Sequence, residues 1–419
     1  MRISFLLTQS LESPSGLGRY WPLSKELVRL GHKVVILALH HDFQGLKRRS
    51  FTKHGVRVHY IGQMHVRKIG NRKFYYTPMR LLWISALATW RLMRAALQTP
   101  TDVYHLGKPH PMNGLAVLLP RWLRSRPVYL DCDDYEAASN RFGRNWQRRV
   151  VTLFEDRLPT IATGITVNTH FTAERLMRLG YLPERIIYVP NGVDRDRFSN
   201  VSDAEVEGLR QRLGLAGQKV VLYAGSMSLA NHAVDLLLEA FVSVRKAEPR
   251  ATLVLVGRGE DYDGLRAQAV RLGVSDAVRF AGWVSPEKVP LYYGLANVSV
   301  DPVRDDLAAR ARCPLKVVES LVAGTPVVTG DVGDRREMLA SGGGLLVPPG
   351  NATALAQSLV EVLEDEVHSR LSAEAMEVRH QCYWDVLVHK FAMVYEIGEP
   401  SMRSVSVRSQ RLGEEGKWP

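Results

Sequence analysis

The chain opens on an apolar run, RISFLL, which gives way to a polar, glycine-bearing segment at 13–19. Residues 20–30 predict a helix, and Gly31 follows as a natural C-cap. The next run, KVVILAL, is apolar throughout, as a strand covered on both faces must be. Strand, loop, helix, glycine and strand together predict a βαβ unit of a parallel sheet. Short strands are predicted at 56–61, 103–105, 128–131, 164–168 and 186–189.

The turn cluster VPNGVDRDRF at 189–198 marks the predicted domain boundary. Beyond it the pattern restarts. VVLYAG at 220–225 predicts a strand, 234–246 a helix, and ATLVLVGRG at 251–259 a strand ending in a glycine turn. VRFAGWV at 278–284, VSVDP at 298–302 and TPVVTG predict further strands. PLKVVESLVAG has Pro314 near its start and Gly324 past its end, the asymmetry of a helix. A polar helix is predicted over 352–381 and an amphipathic one over 384–397. The residues from about 401 onward are polar and predict a disordered tail.

With 419 residues the chain is long enough for two domains with full cores. Its 46% hydrophobic and 23% charged residues are those of a globular protein. Cys132, Cys313 and Cys382 are an odd number in no metal spacing, which predicts a reduced, cytoplasmic protein. The N-terminal run turns polar too soon for a signal peptide. The best candidate span, 81–97, is broken by Arg91 and Arg94.

The net charge of +12 is uneven. Residues 1–190 carry 29 Lys and Arg against 12 Asp and Glu; residues 191–419 carry 26 against 31. No acid occurs between Asp42 and Asp102, while residues 51–100 hold nine Lys or Arg. Such a half attracts an anionic partner. The basic stretch 67–97 interleaves its cations with Phe74, Tyr75, Tyr76, Trp83 and Trp90, which suits peripheral contact with an anionic bilayer. An ordinary helix with a solvated basic face has the same pattern. No recognised nucleic-acid module is present, so no nucleic-acid partner is expected.

Three segments carry candidate chemistry. The helix that starts near Pro314 offers free amides and a partial positive charge to a diphosphate, with Lys316 adding an ammonium on its first turn. Gly16 and Gly18 permit close approach of a phosphate or sugar oxygen to the backbone. They lack the third glycine and the acidic strand end of a dinucleotide fingerprint; His40 and His41 stand there instead. YLDCDDYEA at 129–137 packs Asp131, Asp133, Asp134 and Glu136 together, which suits acceptor hydroxyls or helix capping, with no metal assigned.

The run CPLKVVESLVAGTPVVTGDVG at 313–333 resembles the donor-binding helix of glycosyltransferase family 4, a retaining GT-B family. NTHFTAERLMRLG, ERIIYVPNGVDRDRF, RFAGWVSPEKVPLYYGLANVSVDP and the opening βαβ resemble that family in the same order. The resemblance implies an α/β protein of GT-B type, with two Rossmann-like doubly wound domains facing across a cleft. Residues 1–190 would be the acceptor side and 191–380 the nucleotide-sugar side. Residues 381–400 would cross back, and 401–419 would form the tail. It implies transfer of a sugar from a nucleoside-diphosphate sugar to a glycan or lipid-linked acceptor, with no cofactor beyond that donor. His105 and Lys316 are the implied catalytic residues; His110 is an alternative to His105. Gly16, Gly18, Gly225, Ser226, Arg258, Arg312, Leu315, Lys316 and Glu319 are the implied donor-binding residues, Glu319 at the ribose.

The chain departs from the family pattern at Ala311, where a glutamate is usual, and at Ser226 and His232, where an arginine and a lysine are usual. Lys316, Arg310 or Arg312 would then supply the charge. Ala311 and Ser226 leave open a catalytically inactive scaffold; the alternative enzyme readings are a GT-B nucleotide-sugar epimerase or a phosphorylase, the latter needing a pyridoxal-phosphate lysine for which no candidate loop stands out.

Overall fold

A computed structural model describes residues 1–69, 72–140 and 142–398. The predicted tail and the end of the 381–400 segment lie outside the described residues.

The first sheet has eight strands: β1 (Arg2–Leu7), β2 (Lys33–His40), β3 (Ser50–Lys53), β4 (Val56–Gln63), β7 (Val103–Gly107), β8 (Val128–Cys132), β9 (Gly164–Val167) and β10 (Ile186–Tyr188). Their order is β10-β9-β8-β7-β1-β2-β4-β3, parallel except for the β3–β4 pair. A separate hairpin, β5 (Val66–Ile69) and β6 (Arg72–Tyr75), lies between β4 and the long helix that follows. Neither the hairpin nor β3 was visible in the pattern, because both are short and lack an apolar run.

The second sheet is parallel, in the order β13-β12-β11-β14-β15-β16. Its strands are β11 (Lys219–Ala224), β12 (Ala251–Val256), β13 (Val278–Gly282), β14 (Val298–Asp301), β15 (Val327–Gly330) and β16 (Gly344–Val347). Both central strand sets are buried on both faces, which is why β2 and β12 read as unbroken apolar runs.

Six helices matter for the site: α1 (Trp21–Arg29), α2 (Pro78–Gln98), α3 (Pro111–Arg124), α4 (Asn145–Arg157), α5 (Leu315–Ala323) and α6 (Trp384–Ala392). Helix α6 comes late in the sequence but joins the first core: Trp384, Val388 and Phe391 pack with Phe5, Leu23 and Tyr129. The predicted helix 384–397 ends at Ala392 and tightens into a 3₁₀ turn, Met393–Glu396. The predicted helix 352–381 is two, Ala352–Val362 and Asp365–Val378, followed by a 3₁₀ turn, Arg379–Cys382.

Candidate active site in the interdomain cleft

Helix α5 begins at an N-cap, Pro314, with no side chain capping it, and ends on Gly324 in the left-handed region at φ 72°. Its first N–H groups have no carbonyl one turn back within the helix. Lys316 reaches from this turn beneath the loop that follows β11. A Cβ on Gly225 would lie 3.0 Å from Tyr223 Oη and 3.3 Å from Lys316 Cε, so the loop packs closely over both side chains.

The ammonium of Lys316 lies 3.0 Å from Asp301 Oδ1 and 5.1 Å from the Tyr223 ring centroid. Asp301 Oδ2 accepts from the buried Arg335 Nε at 2.8 Å. Burial lowers the pKa of Lys316, opposed by Asp301. Burial also works against the Asp301 charge, but Lys316 and Arg335 hold its carboxyl far below the usual range. Arg312 donates to Asn231 O at 2.6 Å, and His232 Nδ1 lies 3.4 Å from Lys316 Nζ. Burial and the two cations drive the His232 pKa down, so its ring is neutral. Lys316 and Arg312 thus flank the position where a loop lysine is usual. Arg310 is instead exposed and paired with Asp305 at 2.6 Å.

Ser226 is exposed at the tip of the same loop, its carbonyl accepting from Tyr223 Oη at 2.7 Å. The loops after β11 and β12 meet back to back. A Cβ on Gly257, at φ +126°, would fall 1.9 Å from Gly225 O. Arg258 is exposed at the end of β12 with its guanidinium 4.7 Å from the Tyr262 ring centroid. Nearby, Glu260 Oε1 accepts from Tyr75 Oη of the hairpin at 3.3 Å, a contact across the cleft.

Glu319 is buried, with Oε1 3.0 Å from Arg197 Nη2 and Oε2 accepting from Tyr293 Oη at 3.3 Å. Each carboxylate oxygen has a second lone pair, so hydroxyl groups can still donate to it. Sequence reasoning missed Arg197; the charged string DRDRF was its only signal.

On the facing domain, residues 16–20 form a single π-helical turn that runs into α1. Gly16 is required there, because a Cβ would lie 2.4 Å from Ser10 O. Gly18 faces Leu315, the first residue of α5. The structure therefore brings Gly16, Gly18, Gly225, Leu315, Lys316 and Arg312 toward one end of the cleft. Below them, buried Arg19 donates to Asp131 through Nε and Nη2, both at 2.7 Å. It also donates to Val189 O at 3.1 Å and Asn191 Oδ1 at 3.2 Å. Asn191 Nδ2 donates to Cys313 O at 2.9 Å, and Trp384 Nε1 to Gly18 O at 2.8 Å. Gly18, Arg19 and Asn191 together tie the interdomain segment to α6 and to Cys313, just ahead of α5.

His105 is not in the cleft. Its ring lies in the core, stacked 4.9 Å from Phe5 and 5.1 Å from Phe391, with Nδ1 2.9 Å from Tyr395 Oη. Burial lowers its pKa to about 4, so it is neutral and structural. Strand alternation explains the correction: this position of β7 faces α6. His110 is no substitute, because its Nδ1 caps α3 by accepting from Met112 N at 3.3 Å.

The acidic run is also neutralised internally. Asp131 belongs to Arg19. Lys108 Nζ lies 3.3, 2.8 and 2.6 Å from Asp133, Asp134 and Glu136. A lysine thus occupies the centre that a cation would take. The helix cap there is not one of these acids but Glu155, which accepts from the amides of Glu136 and Ala137.

Helix α2 buries a narrow stripe, Ala88, Leu92 and Ala96, and exposes Met79, Leu82, Trp83 and Trp90. The pattern did not reveal that α3, packed beside α2, and α4 also expose apolar residues, Leu115, Leu118, Trp122 and Leu153. Trp83 is 69% and Trp122 76% exposed. Among the described residues, no helix is long and apolar enough to cross a membrane.

Two facing doubly wound domains with an uncapped helix end at their junction define the GT-B glycosyltransferase class. Two sequence models match: "Glycosyl transferase 4-like domain" over residues 15–192 and "Glycosyl transferases group 1" over 218–365. The chain belongs to glycosyltransferase family 4. It is 33% identical over 210 residues to the GDP-mannose-dependent alpha-(1-6)-phosphatidylinositol monomannoside mannosyltransferase of Mycobacterium tuberculosis, covering 49% of this chain and 54% of that one. It is 30% identical over 277 residues to the D-inositol 3-phosphate glycosyltransferase of Acidothermus cellulolyticus, covering 63% and 59%. The matches therefore span little more than half the length of these relatives. The structure of Anabaena HepE in complex with UDP and glucose superposes with a TM-score of 0.70 at 19% identity, over 94% of this chain and 99% of that one. That likeness is one of fold.

Proposed function

We propose that the protein is a retaining glycosyltransferase that moves a sugar from a nucleoside-diphosphate sugar to an acceptor hydroxyl. The observation that carries this reading is the uncapped start of α5, which meets the Gly16–Tyr20 turn of the facing domain with Lys316 and Arg312 alongside. The leaving diphosphate gains charge as the glycosidic bond breaks. Amides and cations already aimed at that position stabilise it without reorganising. Glu319 holds the ribose. The acceptor comes from the N-terminal side and attacks the face that the diphosphate leaves, a departing phosphate oxygen taking its proton. No enzyme nucleophile and no cofactor beyond the donor enter this scheme.

The relatives' names add substrate classes that this reading adopts: a GDP-sugar donor and an inositol-bearing, phosphorylated or lipid-linked acceptor. The apolar face of α2, α3 and α4, fringed by arginines, would rest on an anionic membrane and leave the rest of the protein in the cytoplasm.

The test is a thermal-shift screen of the protein against UDP-, GDP- and ADP-sugars. Stabilisation by one donor, abolished in Glu319→Ala, is the expected result. No shift with any donor at about millimolar concentration, well above ordinary substrate KM values, overturns the assignment and favours an inactive scaffold.

A further inference from the structure

The first domain holds a cavity of about 550 Å³ that the donor chemistry does not use. It lies between α2 and the segments that follow β2 and β4. These are carboxyl ends of parallel strands, the side on which such sheets bind ligands. Its lining carries four guanidinium groups, Arg49, Arg67, Arg80 and Arg91, and one carboxylate, Asp42. Asp42 lies 3.8 Å from Arg67. Among the described residues, Arg49, Arg80 and Arg91 have no carboxylate within ion-pair distance.

The arginines are set in place by rings and not by acids. Arg49 and Arg91 lie 4.3 and 5.6 Å from the Phe43 ring centroid, and Arg80 lies 5.2 Å from that of Tyr76. Stacking fixes the plane of a guanidinium while leaving its N–H fork unused. The wall that carries Phe43 is pinned by Gln63, whose Nε2 donates to His41 O at 2.8 Å and whose Oε1 accepts from Phe43 N at 3.1 Å. Trp83, Ile84 and Leu87 supply an apolar side. Convergent forks with a net positive charge and one apolar wall fit a phosphate joined to a carbon skeleton.

We propose that this pocket seats the phosphate of a phosphorylated acceptor. The word acceptor rests on the transferase reading above; the anion site rests on the pocket alone. The phosphate can belong to a soluble sugar phosphate or to a lipid headgroup, and the test separates these sources.

Binding of glucose 1-phosphate would be measured by titration calorimetry on the full chain. Flotation would be measured with vesicles of phosphatidylglycerol and of phosphatidylcholine. Each assay would compare wild type, R80Q/R91Q, and K33Q/R57Q, which removes equal charge from the amino ends of β2 and β4 in the same domain. Loss of glucose 1-phosphate binding by tenfold or more in R80Q/R91Q alone supports the proposal with a soluble source. Binding only to phosphatidylglycerol, lost tenfold in R80Q/R91Q alone, supports it with a lipid source. R80K/R91K, which keeps the charge but loses the stacked forks, should recover only part of the affinity in either case. Equal losses in both glutamine pairs, or no binding of either probe, overturn it. Should R80Q/R91Q fail to fold, R49Q reads the same pocket. A nucleoside-diphosphate thermal shift run in parallel separates the two ideas. If it persists while both probes fail, the pocket falls and the transferase stands. If it is absent while the probe binds through the arginines, the transferase falls and the anion site stands.

Discussion

A Cβ built on Gly18 would sit 2.6 Å from Leu315 Cδ2, so the glycine turn of one domain packs against the first residue of α5 in the other. The clash is with the tip of a flexible side chain. Gly18→Ala is therefore tolerable, whereas a branched side chain is not. Gly18→Val should lower kcat/KM by at least tenfold, about 1.4 kcal/mol in the barrier. Gly18→Val with Leu315→Ala should recover part of that loss. Steady-state kinetics on the four corners of the cycle would read the coupling. Independent losses in the two single variants would show that the contact does not matter.

The structural role of Lys316 beside Asp301 and its proposed role at the donor can be separated. Lys316→Ala leaves the buried Asp301 with Arg335 alone, and should cost about 3 kcal/mol in urea unfolding. Adding Asp301→Asn should not restore that stability, because Arg335 would then be the buried charge without a carboxylate. The nucleotide thermal shift should remain absent in both variants, because the ammonium is missing from both. Its return in the double variant would remove Lys316 from the donor site.

Burial holds the His105 pKa at about 4, against 6.5 for a free imidazole. As pH falls from 6.5 toward 4, the unfolded chain takes up a proton that the native core refuses. Stability is therefore present above 6.5 and is lost through that window, at about 1.4 kcal/mol per unit or about 3 kcal/mol in all. Urea midpoints at pH 7 and pH 4.5 should drop further for wild type than for His105→Phe. Activity of His105→Phe at pH 7 should stay within about threefold of wild type, the mark of a residue that makes no transition-state contact. A large loss of kcat in a folded His105→Phe would return the residue to the catalytic set.

The exposed tryptophans of α2 and α3 give the membrane reading its own check. Trp90→Glu with Trp122→Glu places two acids on the apolar face outside the arginine pocket and should reduce flotation with phosphatidylglycerol vesicles by about tenfold or more. The nucleotide shift should be unchanged, because neither residue faces the donor. Unaltered flotation would exclude this face.

Most strands of both sheets were legible because a parallel sheet buried on two faces leaves long Val, Ile and Leu runs, as in β2 and β12; the short edge strands β3 and β16 were not. Helix α5 was legible from Pro314 and Gly324, which punctuate it. The partners across space were not. Asp131 and Lys108 take their meaning from Arg19 and from three carboxylates, and the Arg19 partner is distant in sequence. His105 was misread for the same reason. A histidine at a strand end looks the same whether its side of the sheet meets a ligand or, as here, a helix contributed from the far end of the chain. The exposed leucines of α3 were hidden because an apolar helix reads alike whether it is covered or bare.

That late helix has a consequence for how the protein is made. The face of the first sheet bearing Phe5, His105 and Tyr129 is covered by Phe391 and Tyr395. On a ribosome, β10 emerges roughly 200 residues before that cover, a wait of roughly 10–40 s at ordinary synthesis rates. Through that interval the nascent first domain displays bare aromatic surface. A chain ending just before Trp384 would leave that surface bare where the finished protein is sealed, the kind of transiently exposed apolar surface that aggregates.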